Sequence, residues 1–582
     1  MGGTSGSLVQ GRGPQMAHGS AQTTFHGPPL DSEAGVGPLT LGGLLEDTAT
    51  KHAACEAIAF HGDTGVVRTT YGELQEQVHT LARALVAAGL LKGARVALLM
   101  GNRPEWVVSA FAVALAGGVL VPVNTFAEAP ELEHILRHSG TSMLLVQRHL
   151  AGHAYLDDLS SVAPDLRSCR PGRIRSTTLP DLRRIWCLGL EGAEGPVEPW
   201  PALEQMAGDV EERHLEAIAA QVSPADDALV VYTSGTTAAP KGVLHAHRAA
   251  SLQSWRCARL MALDATARVW GAMPLFWTAG FCRVMGGTLA SGACMVMQEV
   301  FEPGEALRLL EAERVTTMHV WLHQEAQMED HPDWDSRDLS AVRHADSLGS
   351  FRRHKSVQIE GDWSTLNAYG NSETFTIVTA VPADRPAIGA DAHHGEILPG
   401  NSVRIFDVAS GELLAAGEQG EIAVKGATLM KGYLRVPPEE CFDADGFFHT
   451  GDSGYVDDEG RLHWTGRISG LIKTGGANVS PVEIEQALYA HPGLKVVLAV
   501  GVPDAVLGEI VVLCAVAHEG ADVDEADVRS FLRGQLASYK IPRRVLFFEE
   551  SELSVTGSAK IRGEPLKALA VARLEAEELT RP

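Results

Sequence analysis

The chain has 582 residues, 45% of them apolar, and a formal net charge of −25. Its length exceeds what one hydrophobic core can organise and implies at least two domains, while the acidic balance excludes a broad nucleic-acid or anionic-membrane surface, which needs clustered Lys and Arg. An anionic ligand must therefore be met by local donors, and the eight cysteines, none in a C-x-x-C pair, argue against zinc or a disulfide framework and for a reducing cytoplasm.

In chain order, residues 1–40 are rich in Gly, Ser, Pro and His and lack the apolar core of a signal sequence, so a disordered tail is expected. From Leu41 to about Asp407, helical patterns such as Tyr71–Leu90 alternate with short apolar strands such as Arg95–Leu99, the rhythm of a layered α/β domain. The most apolar stretch, Val107–Val123, is slightly short for a bilayer span and is broken by Gly117, Gly118 and Pro122; a buried helix followed by a buried strand is expected. Residues 170–200 carry many Pro, Gly and Arg and read as a variable surface connection. A junction is placed at 467–470. Residues 471–582 read as a small α+β unit with strands over Val496–Val502 and Glu509–Val516 and helices over Val482–Tyr489 and Glu525–Leu536.

The segment Val231–His247, VYTSGTTAAPKGVLHAH, is the most informative. The β-branched run Asp227–Tyr232 reads as a buried strand delivering a loop to one end of a sheet. The loop offers hydroxyls from Thr233, Ser234, Thr236 and Thr237, amides that Gly235 and Gly242 leave unobstructed, and the cation Lys241, the groups that triphosphate oxygens need. It differs from G-x-x-x-x-G-K-[ST] in having Pro240 before the lysine and Gly242 after it; a Ser/Thr/Gly-rich surface turn is the plainer alternative.

Three further segments follow. Tyr369-Gly370-Asn371-Ser372-Glu373 presents an aromatic face for a purine and a carboxylate for Mg²⁺, although alone it reads equally as a surface turn. His449–Gly454 and Trp464–Arg467 form the arms of an expected β-hairpin carrying Asp452, suited to accept both ribose hydroxyls, and Arg467, suited to a sugar or phosphate; a plain ion pair is the alternative. Thr556–Ile561 places Lys560 in a small-residue loop, where a solvated surface lysine is the ordinary reading.

Together these ordered motifs resemble the adenylate-forming superfamily of acyl-CoA synthetases, firefly-type luciferases and peptide-synthetase adenylation domains, over about residues 40 to 570. The resemblance implies a large N-terminal α/β domain of several subdomains (41–466), a hinge (467–470) and a small mobile C-terminal α+β domain (471–582). It implies ATP, Mg²⁺ and CoA as the small molecules, a carboxylic acid as the partner substrate, and a two-step ligase reaction through an acyl-adenylate. In that reading Lys560 bridges the attacking carboxylate and the α-phosphate, Ser372 contacts the α-phosphate and Glu373 holds Mg²⁺. Thr233 to Lys241 manages the β- and γ-phosphates, Asp452 and Arg467 fix the ribose, and Tyr369, with Gly370 and Asn371, lies against adenine. Gly475-Gly476 and Asn478–Pro481 resemble the glycine-rich face presented to the pantetheine thiol.

The sequence also departs from the family pattern. Ala238 and Ala559 replace glycines, and Ser469-Gly470 replaces the charged hinge position. Trp277 stands where many acyl-CoA synthetases have histidine and is compatible with a shortened acyl pocket, a closed tunnel or plain core packing. Ala345–Gly349 stands for a glycine-rich S-G-G-A, so Phe281, His323, Ser347, Leu348 and Gly349 are candidates for a differently shaped acyl site near His319 and Trp321. A medium or large hydrophobic acid with CoA as acceptor is the default expectation. An enzyme that passes its acyl group to a carrier protein or amine, or activates an unusual oxyanion, is the alternative.

Overall fold

The computed structural model describes residues 23–62, 65–233, 240–346, 349–359, 361–364, 367–387, 392–474, 477–504, 507–533, 535–536, 538–553 and 563–579. In the large domain an eight-stranded sheet runs in the order Val197–Pro199, Arg184–Leu188, Met143–Gln147, Arg95–Leu99, Val119–Pro122, Asp227–Thr233, Lys241–Ala246 and Gly432–Tyr433. Its first six strands are parallel and the last two pairings antiparallel. The parallel strands Arg95–Leu99, Val119–Pro122 and Met143–Gln147 are buried almost throughout, which is why they read as continuous apolar runs rather than alternating ones.

Val107–Val123 resolves into a helix, Pro104–Leu115, and the strand Val119–Pro122. Proline occupies the first turn, where its missing N–H costs nothing, and only Glu105 escapes full burial. Gly117, at a φ of +74°, turns the chain from helix to strand without the Cβ penalty of other residues. The helix Tyr71–Ala87 starts on a capping box, with Thr70 accepting from the Glu73 N–H and Glu73 accepting from the Thr70 N–H, a T-x-x-E pattern visible in the sequence.

A second sheet aligns Thr317–His319, Arg268–Gly271, Cys294–Met297 and Glu56–Gly62 in parallel, with Gly65–Thr70 antiparallel at its edge. A third, antiparallel sheet contains Phe25–His26, Asn401–Phe406, Gly420–Gly426, Phe448–Val456 and Leu462–Arg467.

Two expectations are corrected here. The tail expected to be disordered through residue 40 is built into the fold from Thr23: Phe25 pairs with Val403, and the carboxylate of Glu33 meets the buried Arg256 guanidinium at 2.8 Å. A strand edge and an ion pair with partners hundreds of residues away supply the order that local composition does not. The segment 170–200 is not purely a surface connection either, because Arg184–Leu188 and Val197–Pro199 extend the eight-stranded sheet and the Trp186 ring is fully buried.

The small domain places Leu494–Asp504, Gly508–Ala517, Ile472–Thr474, Ala477–Val479 and Arg544–Phe547 in one sheet, with the helices Pro481–Leu488 and Glu525–Leu532 capped by Ser480 and Asp524. Its apolar core begins at Ile472, whereas the apolar clusters of the large domain end at Trp464. Among the described residues no apolar cluster joins the two. Lys495 of the small domain instead pairs with Asp330, just past the helix Leu322–Glu329, and with Glu550 at 2.8 Å.

Candidate active site

The strand Asp227–Thr233 and the returning strand Lys241–Ala246 are antiparallel neighbours with Thr233 opposite Lys241. The hydroxyl-rich loop therefore leaves and re-enters the sheet at one point, and Lys241 is held where it closes. Ser234, Gly235, Thr236 and Thr237 lie outside the described residues, as do Ser347, Leu348, Gly475, Gly476 and Lys560, and the side chain of His323. Gly242 has a different reason from the one expected: a Cβ there would press on the Val230 side chain and the Tyr232 ring, so it is a packing glycine inside the sheet rather than an open amide in the loop.

Lys241 reaches a cleft of about 550 Å³ whose walls also carry Glu373, Tyr433, Thr450, Gly451 and Arg467. Its Nζ lies 4.9 Å from the centroid of the Tyr433 ring, and the Tyr433 hydroxyl donates to Glu373 Oε1 at 2.7 Å. Tyr433 thus orients the carboxylate and offers its π-face to the cation. Nothing in the local sequence marks this tyrosine, since its partner is 60 positions away.

Glu373 sits in the short helix Ser372–Thr374, which Asn371 caps by accepting from the Thr374 N–H. The turn is tight: Phe375 and Thr376 have φ of +50° and +89°, conformations that cost non-glycine residues about 1–3 kcal/mol each and persist where the surroundings impose them. Gly370 packs directly on the Thr376 carbonyl, leaving no room for a Cβ. Below it, the buried His245 ring contacts the Ser372 carbonyl at 2.8 Å through Nε2. Burial pulls His245 down to about 4, so it is a neutral donor at pH 7.

The expected hairpin forms from Phe448–Val456 and Leu462–Arg467, and Asp452 faces Arg467 across it. Arg467 Nε lies 3.0 Å from Asp452 Oδ1, and its Nη1 donates to the Thr450 carbonyl at 2.9 Å. The Tyr369 hydroxyl donates to Asp452 Oδ2 at 2.8 Å and to Thr450 Oγ1 at 3.2 Å. Tyr369 therefore positions the carboxylate, and its ring belongs to the core, only 4% exposed, rather than standing open as an aromatic platform. Burial raises the Asp452 carboxyl, against the Arg467 charge and the Tyr369 hydrogen bond that hold it down.

On the other side, Phe281 is buried edge-on to Trp106 at 6.0 Å and Phe375 at 5.7 Å, so this aromatic packs beside the Ser372–Glu373 turn. Trp277 is half-buried and edge-on to Phe276 at 4.9 Å. Gly349 touches the carboxylate of Glu325, which excludes a Cβ. Glu325 was not indicated by the sequence; it is buried, accepts from the Phe351 N–H at 3.0 Å, and burial pushes it up to about 7.

Among the described residues no cluster of three His, Cys, Asp or Glu side chains is arranged to hold a metal. The donor set still fits Mg²⁺, which takes one or two carboxylates and completes its shell with phosphate oxygens and water: Glu373 Oε2 makes no hydrogen bond among the described residues, and the residue shares the cleft wall with Lys241. No helix of the described residues is long and apolar enough to cross a membrane.

Comparison with known proteins identifies the family of the chain. The AMP-binding enzyme family matches residues 45–434, and the AMP-binding enzyme C-terminal domain matches residues 483–560. Feruloyl-CoA synthase of Amycolatopsis sp. is 34% identical over 518 residues, covering 87% of this chain and 94% of that protein. The mitochondrial medium-chain acyl-CoA ligase ACSF2 of Danio rerio is 28% identical over 89% of this chain and 86% of its own. The ATP-bound crystal structure of MatB from Rhodopseudomonas palustris superposes with a TM-score of 0.70 at 27% identity, covering 91% of this chain and 99% of that one. The chain therefore belongs to the AMP-binding enzyme family, the ATP-using adenylate-forming enzymes with a large N-terminal and a small C-terminal domain.

Proposed function

We infer that this chain is an AMP-forming acid–thiol ligase that activates a carboxylic acid with ATP and Mg²⁺ and passes the acyl group to CoA. The observation that carries the reading is the convergence in one cleft of Lys241, the Tyr433–Glu373 pair and Arg467, with the buried Asp452 paired to Arg467 behind the wall. A cation for the pyrophosphate, a carboxylate for the metal and a diol acceptor for the ribose would together serve one nucleotide, which supports the reading.

In this mechanism Asp452 accepts the two ribose hydroxyls, with Tyr369 and Arg467 fixing its orientation. Lys241 neutralises the β- and γ-phosphates. Glu373 would hold Mg²⁺, which supplies charge neutralisation on the phosphate oxygens. The substrate carboxylate oxygen attacks the α-phosphorus, a bond to the bridging oxygen breaks and pyrophosphate departs; Ser372 and Lys560 stabilise the charge on the α-phosphate. A thiolate then attacks the acyl carbon and AMP leaves. Little covalent chemistry falls to the protein, so rate comes from positioning and preorganised charge.

The half-buried Trp277, packed on Phe276, favours one further reading, in which the pantetheine path is closed and an amine or carrier protein is the acceptor. Acid-dependent exchange of labelled pyrophosphate into ATP tests the first step, and its absence over a broad acid panel would overturn the ligase reading. Formation of an acyl thioester on adding CoA supports the CoA acceptor, while adenylate release without thioester favours the second reading. Lys560→Ala is expected to abolish adenylate formation and largely spare thiolysis of a supplied acyl-adenylate.

A further inference from the structure

Arg283 lies in the π-helical segment Gly280–Gly286. The segment begins beside the reacting end, where Phe281 contacts Phe375, and packs on the carboxyl edge of the second sheet, where Val284 presses on Gly271. Gly271 and His319 close the adjacent parallel strands Arg268–Gly271 and Thr317–His319. Ligands of open parallel sheets bind outside the carboxyl ends of the strands, so the residues above this edge are placed to meet substrate.

The electrostatics of that edge are unusual. Arg283 is only partly accessible and its Nε is buried without a hydrogen-bond partner. The guanidinium forms no ion pair or hydrogen bond with any described residue. The Nε2 of His319 is likewise buried and unpartnered. Burial, the Arg283 charge and then His344 push this imidazole down to about 3, so it is neutral and can donate to an oxygen. His344 stacks on Trp363 and contacts Thr317 Oγ1 through Nδ1 at 3.0 Å. In a chain of net charge −25, a half-buried arginine with no counter-charge among the described residues, beside an unpartnered imidazole, leaves two donors that an anion would satisfy, because buried charges are ordinarily paired.

We propose that Arg283 determines the acid specificity of this enzyme by binding the second carboxylate of a dicarboxylic acid whose first carboxylate is adenylated. The planar fork of arginine matches a carboxylate bidentately, and His319 Nε2 supplies a further donor. This inference rests on the ligase reading and replaces the hydrophobic acid expected from the sequence with a diacid.

The test is ATP–pyrophosphate exchange by the full-length wild type, Arg283→Met and Arg283→Lys. The panel contains straight-chain dicarboxylic acids of increasing length, their monomethyl esters, monocarboxylic acids of matching length, and a para-hydroxyaryl acid. For the wild type, kcat/KM for the best diacid is expected to exceed that of its monomethyl ester by on the order of tenfold or more, because a site built around a polar group rejects the analogue that lacks it. Arg283→Met is expected to erase that preference through KM, with the KM for ATP unchanged, and Arg283→Lys to recover only part of it. A wild type that favours the esters, the monoacids or the hydroxyaryl acid overturns the inference and leaves the ligase reading intact. So does an Arg283→Met enzyme that keeps the diacid preference. If Arg283→Met does not fold, the wild-type comparison of diacid with ester decides alone. Absence of exchange with every acid overturns the ligase function, and this inference with it.

Discussion

Replacing Glu325 by glutamine tests the electrostatics of the acyl-side wall. The carboxyl is 5% exposed and burial is the chief reason it rises to about 7; the Phe351 amide then pulls it down, Asp346 pushes it up, and smaller opposing contributions come from the Ser350 amide and Glu329. Because the folded-state value is raised, the native state binds the proton more tightly than the unfolded chain. The corresponding stability is fully present below the unfolded value of 4.5 and is lost as pH rises through about 7. A rise of that size corresponds to roughly 3 kcal/mol. Glutamine keeps the oxygen that accepts from Phe351 and carries no charge at any pH. Glu325→Gln is therefore expected to match the wild type in stability near about pH 4 and to exceed it by up to roughly 3 kcal/mol near about pH 8. Urea denaturation at both pH values, with the denaturant slopes compared, measures the difference. A stability gap that is the same at both pH values within about 0.5 kcal/mol would refute the reasoning, since additivity of an uncoupled change holds to about that margin.

Tyr369→Phe removes the hydroxyl that donates to Asp452 at 2.8 Å; a loss of about 1.5 kcal/mol, or roughly tenfold in KM for ATP, is expected. The same change raises the Asp452 carboxyl further, so the acid limb of kcat/KM for ATP moves to higher pH, which a pH–rate profile reads directly. Tyr433→Phe leaves Glu373 without its donor and is expected to raise the half-saturating Mg²⁺ concentration about tenfold, measured at saturating ATP. Glu33→Gln strands the Arg256 charge, whose side chain is fully buried, at an expected cost of about 3 kcal/mol. Adding Arg256→Met to that variant is expected to return part of the loss in a denaturation cycle.

Elements governed by near neighbours were legible in the sequence. The Thr70–Glu73 cap, the proline at the start of the helix Pro104–Leu115, and the strand runs beside it all act within one turn or one pleat of the residues that announce them. The hairpin that sets Asp452 opposite Arg467 was equally readable, because its arms are adjacent in the chain. What escaped depends on distant partners. Glu33 looks like part of a polar tail until Arg256, 223 positions away, receives it. Tyr433 becomes a site residue only when the sheet brings it to Glu373. Tyr369 looked like a platform for a base because its hydroxyl's engagement with the hairpin is invisible in the pentapeptide. Arg283 is one arginine in an apolar run of the sequence, and only the absence of a carboxylate around it among the described residues sets it apart.

The separation of the two apolar cores has a thermodynamic consequence for the small domain. Lys495 meets Asp330 as charge on charge, and among the described residues no apolar core cluster spans the junction, so turning the small domain chiefly exchanges polar contacts. Unfolding changes heat capacity by about 12–15 cal/mol/K per residue because apolar surface meets water; reorientation of this domain, which breaks open no apolar core, is expected to have a much smaller heat-capacity change. Its van't Hoff plot is then close to a straight line. Ionic strength, through the exposed Asp330 end of the pair, becomes a stronger control on the domain equilibrium than temperature.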